Sequence, residues 1–216
     1  MNANFRRLLA AAVFCMPNFL HGADADLSAN QRLLIAARNG DAAAVDSALQ
    51  QGASPDSRTR IGETALVIAL KKDDIAMARK MIDAGTDVNA AAANGITALM
   101  AAAHAGQSEM VRVLLGRGAD VAAVDRIGKN AMTYAAGQGH AQIVKQLLAK
   151  GVDVNAVYQN DLTALMWAAG YGRNDAVAVL LEAGARREMK DNRGKTAADI
   201  AREGGYAATV TLLEQK

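Results

Sequence analysis

The stretch from Gly95 to Val121 decides the fold. It opens as Gly95-Ile96-Thr97-Ala98-Leu99, turns at Gly106-Gln107, and closes on Leu114-Leu115, Gly118 and Asp120-Val121. The opening phrase recurs at a step of 33 residues: Gly62-Glu63-Thr64-Ala65-Leu66 before it, then Gly128-Lys129-Asn130-Ala131-Met132, Asp161-Leu162-Thr163-Ala164-Leu165 and Gly194-Lys195-Thr196-Ala197-Ala198. Gly52, Gly85, Gly118, Gly151 and Gly184 keep the same step, as do Asp87-Val88-Asn89, Asp120-Val121-Ala122 and Asp153-Val154-Asn155. Three series held in phase without an insertion define an internal repeat.

The physics of one unit is readable. Thr64, Thr97, Thr163 and Thr196 stand where a helix needs an N-cap, and a threonine hydroxyl serves well there. A short apolar helix follows, such as Ala98 to His104, then a glycine turn. A second helix carries apolar residues at helical spacing: Met110, Val111, Leu114 and Leu115; Ile143, Val144, Leu147 and Leu148; Val177, Leu180 and Leu181. It stops at the glycine of the second series, which takes the left-handed conformation cheaply. The polar stretch to the next cap, such as Val121 to Lys129, is too short for a helix and fits an extended finger. One unit cannot bury its apolar face alone, so the units must stack into a solenoid.

These residues resemble the ankyrin repeat family, whose unit runs close to G-x-T-P-L-H-x-A-A-x-x-G-H and ends L-L-x-x-G-A-D-V-N. The match is carried by Gly95 to Gly106, Val113 to Val121, Gly128 to His140 and Leu147 to Asn155, and spans about residue 29 to the end as six units with atypical ends. The resemblance implies an all-α solenoid of helix–turn–helix units with short β-like fingers. It also implies a protein–protein interaction scaffold that is not an enzyme. The family proline is replaced by Ala65, Ala98, Ala131, Ala164 and Ala197, and the family histidine by Val67, Met100, Thr133, Met166 and Asp199. Both changes predict a softer array. Polar Asn30, Gln31 and Arg32 at the start, and Glu214 where Leu115, Leu148 and Leu181 stand, fit capping units with an exposed outer face.

Composition agrees. Hydrophobic residues make up 51% of the 216 residues and aromatics only 4%, so the core must be built from aliphatic residues and Met. A net charge of +2 lacks the excess of a dedicated nucleic-acid binder. The N-terminus has its own pattern: basic Arg6-Arg7, an apolar run from Leu8 to Met16, and Ala23-Asp24-Ala25 as a small-x-small site. This is the layout of a signal peptide, residues 1–25, cleaved to leave a repeat domain at 26–216 that is periplasmic or secreted. A membrane anchor needs ~20 apolar residues, and Pro17-Asn18 cuts this run short. Phe14 stands where lipidation of Cys15 wants a small residue, and a mitochondrial presequence would be richer in arginine. If the leader is unused, the chain stays cytoplasmic. Cleavage removes Cys15, the single cysteine, and with it any disulfide or thiol chemistry.

The residues hold no catalytic constellation. His140 follows a turn glycine at the family's usual His position and is read as serving the turn. His104 has no partnering base or nucleophile in sequence reach. Gly194-Lys195-Thr196 looks like the tail of a phosphate loop, but the earlier glycine the motif needs is Met189. Met77, Met81, Met100, Met110, Met132 and Met166 keep the repeat phase and are read as core, as is Trp167. No cofactor or metal is expected.

The resemblance places binding on the concave surface of finger tips and first helices. The candidate residues are Arg60, Glu63, Lys71, Lys72, Ile96, His104, Arg126, Ile127, Lys129, Gln138, Gln159, Leu162, Tyr171 and Arg193. Ile96, Ile127, Leu162 and Tyr171 are apolar where side chains should face water, and basic residues outnumber acidic ones along the strip. The expected partner of this monomer is another protein, with an acidic rim around an apolar centre. An alternative is that the isoleucines pack finger against finger. The role is a scaffold, or else a stabiliser or inhibitor of an exported enzyme; an enzyme or small-ligand binder fits less well.

Overall fold

A computed structural model of the chain describes residues 27–215. The proposed leader therefore lies outside the described residues, as does Lys216. Six helix pairs follow one another: α1 (Ala29–Asn39) with α2 (Ala42–Gln50), α3 (Ala65–Lys71) with α4 (Ile75–Asp83), α5 (Ala98–Ala105) with α6 (Ser108–Gly116), α7 (Ala131–Gln138) with α8 (Ala141–Ala149), α9 (Ala164–Gly170) with α10 (Asn174–Glu182), and α11 (Ala197–Glu203) with α12 (Ala207–Glu214). The first helices α1, α3, α5, α7, α9 and α11 pack each on the next, and α6, α8, α10 and α12 form a second layer behind them. This is an all-α repeat solenoid.

The helices start where the capping chemistry says they should. Thr64, Thr97, Thr163 and Thr196 each accept a hydrogen bond from the backbone N–H three residues on, and Asn130 does the same for α7. The core is a column of repeat-related side chains. Leu33, Leu66, Leu99, Met132 and Leu165 are buried, as are Leu114, Leu147 and Leu180 behind them. All six methionines read as core are buried too. Burying each such side chain contributes roughly 1.5–3 kcal/mol, and because the columns are continuous, no unit is stable without its neighbours.

Five fingers join the pairs: residues 51–64, 84–97, 117–130, 150–163 and 183–196, called here the first to the fifth. One backbone bond closes each hairpin, for example Asp125 N–H to the Lys129 carbonyl at 2.8 Å and Asp191 N–H to the Lys195 carbonyl at 2.9 Å. Pairing is minimal; the bridges are the isolated ones between Arg58 and Thr64 and between Val157 and Thr163. Fingers also bond to fingers. Ala93, Arg126 and Asn192 donate to the carbonyls of Ile61, Asn94 and Asn160 at 2.9, 3.0 and 3.1 Å.

Side chains tie unit to unit at a second level. Gln107 donates to the Leu70 carbonyl at 2.8 Å, His140 to that of His104 at 3.1 Å, and Arg173 to that of Gly137 at 3.1 Å. These residues are one repeat step apart, and each satisfies an open carbonyl near the end of the preceding first helix. His140 thus clasps the previous unit rather than serving only its own turn. Asn89 and Asn155 make a third tie, each accepting from the backbone N–H of the next unit at 2.8 Å while donating to that unit's glycine carbonyl.

Candidate functional site

The residue before each N-cap (Glu63, Ile96, Lys129, Leu162, Lys195) and the residue four positions into each first helix (Ile68, Ala101, Tyr134, Trp167, Ile200) lie on one face. A hydrophobic staple brings such positions together at a helix start. At the two ends the face is closed by charge. Lys71 pairs with Glu63 at 2.6 Å, and Lys195 pairs with Glu203 at the same register four units on. Arg202 is held by Asp199 at 2.9 Å and by Glu214 at 2.6 Å.

The middle is different. The Lys129 ammonium stands 4.1 Å from the centre of the Trp167 ring and 5.6 Å from that of Tyr134. Trp167 stacks on Tyr171 with centroids 6.2 Å apart and planes 12° from parallel. His104 meets Tyr134 edge-on at 5.6 Å, and Gln138 donates to the His104 ring at 3.1 Å. The Tyr134 hydroxyl donates to Asp125 at 2.6 Å. Burial, then the Asp125 hydrogen bond and charge, push its pKa well above the usual tyrosine value. Among the described residues neither Arg126 nor Lys129 forms an ion pair. The centre is therefore an aromatic cluster with two cations that stand outside any ion pair among the described residues.

The predicted residues divide accordingly. Arg60, Arg126, Gln159 and Arg193 are exposed at finger tips, with Arg193 held by Asp191 at 2.7 Å. Ile127 and Tyr171 are 54% and 49% exposed, as expected of contact residues. Lys71 is paired to Glu63, and Lys72 donates to the Arg38 carbonyl. Two expectations are corrected. Ile96 and Leu162 do not face water; they are half-buried and pack against the core, because the residue before an N-cap folds back over its helix. Trp167 packs against the core as expected but is only half-buried, so part of its ring lies on this face, and its indole N–H, though buried, bonds to no described group.

Tyr134 and Trp167 are not among the residues the sequence nominates for this face. The signal was there: they stand four residues before Gln138 and Tyr171, both nominated, and i, i+4 neighbours share a helix face.

The second-helix layer carries one groove worth comparing, about 350 Å³, rimmed by Arg79, Arg112, Arg117 and Asp83. Its charges are largely compensated: Arg79 and Arg112 reach Glu109 at 2.5 and 3.7 Å, and Arg117 reaches Asp83 at 3.2 Å. The first-helix face is where free charge and exposed aromatic surface coincide.

A stacked array of helix pairs and fingers with such a face defines a repeat scaffold of the interaction type. A family model described as ankyrin repeats (3 copies) matches residues 33–125, 80–158 and 132–216, and the chain belongs to that family. Ankyrin repeats are generally protein–protein interaction modules. Among curated proteins none matches the chain.

Proposed function

We propose that this chain is an exported, monomeric binding scaffold that captures a protein through the finger and first-helix face of its middle units. The observation that supports it most is the coincidence, at the fourth and fifth units, of unpaired Arg126 and Lys129 with exposed Ile127 and Tyr171. Arginine and aromatic residues are enriched among interface hot spots, and clustered exposed apolar groups mark interaction sites. The complementary partner carries an apolar centre with carboxylates around it. Export rests on the leader pattern of residues 1–25; no helix among the described residues is long and apolar enough to cross a membrane.

The test is capture of partner from native extract by the wild type beside two double variants, Ile127→Ser/Tyr171→Ser and Arg126→Glu/Lys129→Glu. All four side chains are partly or fully exposed, so circular dichroism should be unchanged. Both variants should lose the same partner, and N-terminal sequencing of the exported protein should begin at Asp26. Undiminished capture by both variants would remove this face from consideration.

A further inference from the structure

The second-helix layer opens between α4 and α6, which lie less closely against each other than α6 does against α8 or α8 against α10. Buried Ile82 and half-buried Val113 line the groove of about 350 Å³ between them. At one register near the end of the second helix the chain carries Gln50, Asp83, Gly116, Ala149 and Glu182. Gly116 is exposed, and a Cβ there would meet no atom within 4 Å. The missing side chain leaves the α6 wall of the groove clear, where α4 and α10 carry Asp83 and Glu182. Three exposed guanidinium groups rim the opening: Arg79 from α4, Arg112 from α6 and Arg117 from the C-terminal end of α6.

The arginines converge on an anion. Arg79 and Arg112, from neighbouring helices, reach the same Glu109 oxygen at 2.5 and 3.7 Å. The Glu109 side chain is itself 59% exposed, and exposed ion pairs contribute little, so it can swing out to water at small cost. With Arg117 on Asp83, three cations face two carboxylates and one positive charge stays unmatched. The next unit adds Lys145 and Lys150, neither in an ion pair among the described residues. We propose that this groove is a second binding site, separate from the protein-binding face, and that it takes a small phosphate monoester. The phosphate replaces the Glu109 carboxylate between Arg79 and Arg112, with Arg117 beside it, and the carbon body of the ester lies along Val113 and over Gly116. A carboxylate or a phosphodiester carries one negative charge and gains nothing over Glu109. A monoester carries about −1.5 to −2 at neutral pH on three acceptor oxygens, which suits three planar guanidinium forks. A long polyanion tracking the layer would run onto Asp46 at one end and onto Asp175 and Glu182 at the other.

The purified chain is titrated calorimetrically with phenyl phosphate, with phenyl sulfate as the monoanion of the same shape, with a short oligothymidine, and with vesicles containing phosphatidic acid. Phenyl phosphate should bind saturably at one site per chain. Binding should weaken at high salt, and again as pH falls below about 6, where the ester loses its second charge. Phenyl sulfate should bind about tenfold less tightly, the worth of one charge-assisted hydrogen bond. Arg112→Gln should cost about the same factor, whereas Lys190→Gln, which removes an equal charge from the fifth finger, should cost nothing. Gly116→Glu places the α10 residue of that register in open space, so it should abolish binding with circular dichroism unchanged. Glu109→Gln should tighten binding about threefold, the worth of an exposed ion pair, by removing the competing carboxylate; arginines that merely bridge two helices would show no such gain. No saturable binding at millimolar phenyl phosphate, equal affinity for phenyl sulfate, equal loss in Lys190→Gln, unchanged binding by Gly116→Glu, or no gain in Glu109→Gln each overturns the proposal. Tighter binding of oligothymidine or of the vesicles than of phenyl phosphate overturns it too, in favour of a polyanion or a lipid surface.

Discussion

The third and fourth fingers are one repeat step apart, yet they are held in different ways. In the third, Asp125 accepts from the N–H groups of Ile127 and Lys129 at 2.9 Å each and from the Tyr134 hydroxyl, Gly128 takes the left-handed tip at φ 69°, and Arg126 bonds to the finger before it. In the fourth, Tyr158 replaces the aspartate, and the tip is built from Asn160 and Asp161 with φ of 62° and 57°. The Gln159 N–H makes no bond to the Ile127 carbonyl, and Ala122 stands where Asn89 and Asn155 tie neighbouring units. The fifth finger returns to the first pattern with Asp191 and Gly194. The loosening is thus local, not a fraying towards the chain end. Beyond the packing of α7 on α9 and of α8 on α10, the ties across this seam are the Arg173 clasp, an Asn130–Tyr158 hydrogen bond of 3.1 Å and the Lys129–Trp167 contact. Repeat register sets the path of the backbone; side chains decide how firmly each finger is held. The less firmly held of the two adjoins the aromatic cluster, and segments with few bonds adjust at low cost to a bound partner.

The comparison is broken most severely from the strong side. Asp125→Ala removes the acceptor for two backbone N–H groups and one hydroxyl, and should cost about 2–4 kcal/mol in urea unfolding. It should also release Lys129 and so weaken partner capture. A loss under 1 kcal/mol (about the worth of one ordinary hydrogen bond) would mean the third finger is no better held than the fourth.

Strengthening the weak side should move stability the other way. Ala122→Asn restores the tie to the next unit; two hydrogen bonds of that kind should stabilise by about 1–2 kcal/mol, read from the same denaturation curves. The matching loss in Asn155→Ala is the control. Smaller still is the tip. Asp161→Gly relieves a left-handed residue whose side chain makes no hydrogen bond, and should gain about 0.5–1 kcal/mol. Asp73 is also left-handed, at φ 59°, but its carboxylate accepts from Gln107 at 2.8 Å. Asp73→Gly should gain nothing, because the lost bond offsets the relieved strain. Equal gains at both sites would show that backbone conformation alone sets the effect.

Much of this was legible beforehand, and the reason is physical. A solenoid repeats its boundary conditions, so caps, turn glycines and core leucines recur at fixed spacing and can be read by counting. Thr97 could be placed at a helix start, and Gly118 just past a helix end, from the step alone. The site resists that method because its character lies in departures from the repeat. Tyr134 and Trp167 carry it by differing from Ala101 and Ile200 at the same register. The family resemblance puts Trp167 in the core and Ile96 and Leu162 at water-facing finger positions, whereas all three are half-buried and packed against the core. The staple geometry at the helix start folds the residue before the cap back over its helix and accounts for the burial of Ile96 and Leu162. The orphaned Gln159 N–H depends on the relative placement of two fingers, which no spacing records.

The finest test of the finger comparison is its pH dependence, since one register is shifted in opposite directions in the fourth and fifth fingers. Burial alone would raise the Asp191 carboxyl, but hydrogen bonds from the Lys195 and Arg193 N–H groups and the Arg193 guanidinium outweigh it and hold the pKa below the ordinary aspartate value. A group lowered on folding contributes stability above its unfolded pKa, near 4, which is lost as pH falls through the folded value. At the same register of the fourth finger, burial and then the Asp153 charge raise Tyr158, partly opposed by the Asn130 hydrogen bond. That contribution is present below the unfolded tyrosine value, near 10, and is lost as pH rises through the higher folded one. Thermal midpoints followed from acid to alkali should therefore separate the two. Asp191→Asn should flatten the acid limb and leave the alkaline limb alone, whereas Tyr158→Phe should do the reverse. If either substitution altered both limbs, the fingers would be coupled through the stack rather than held one by one.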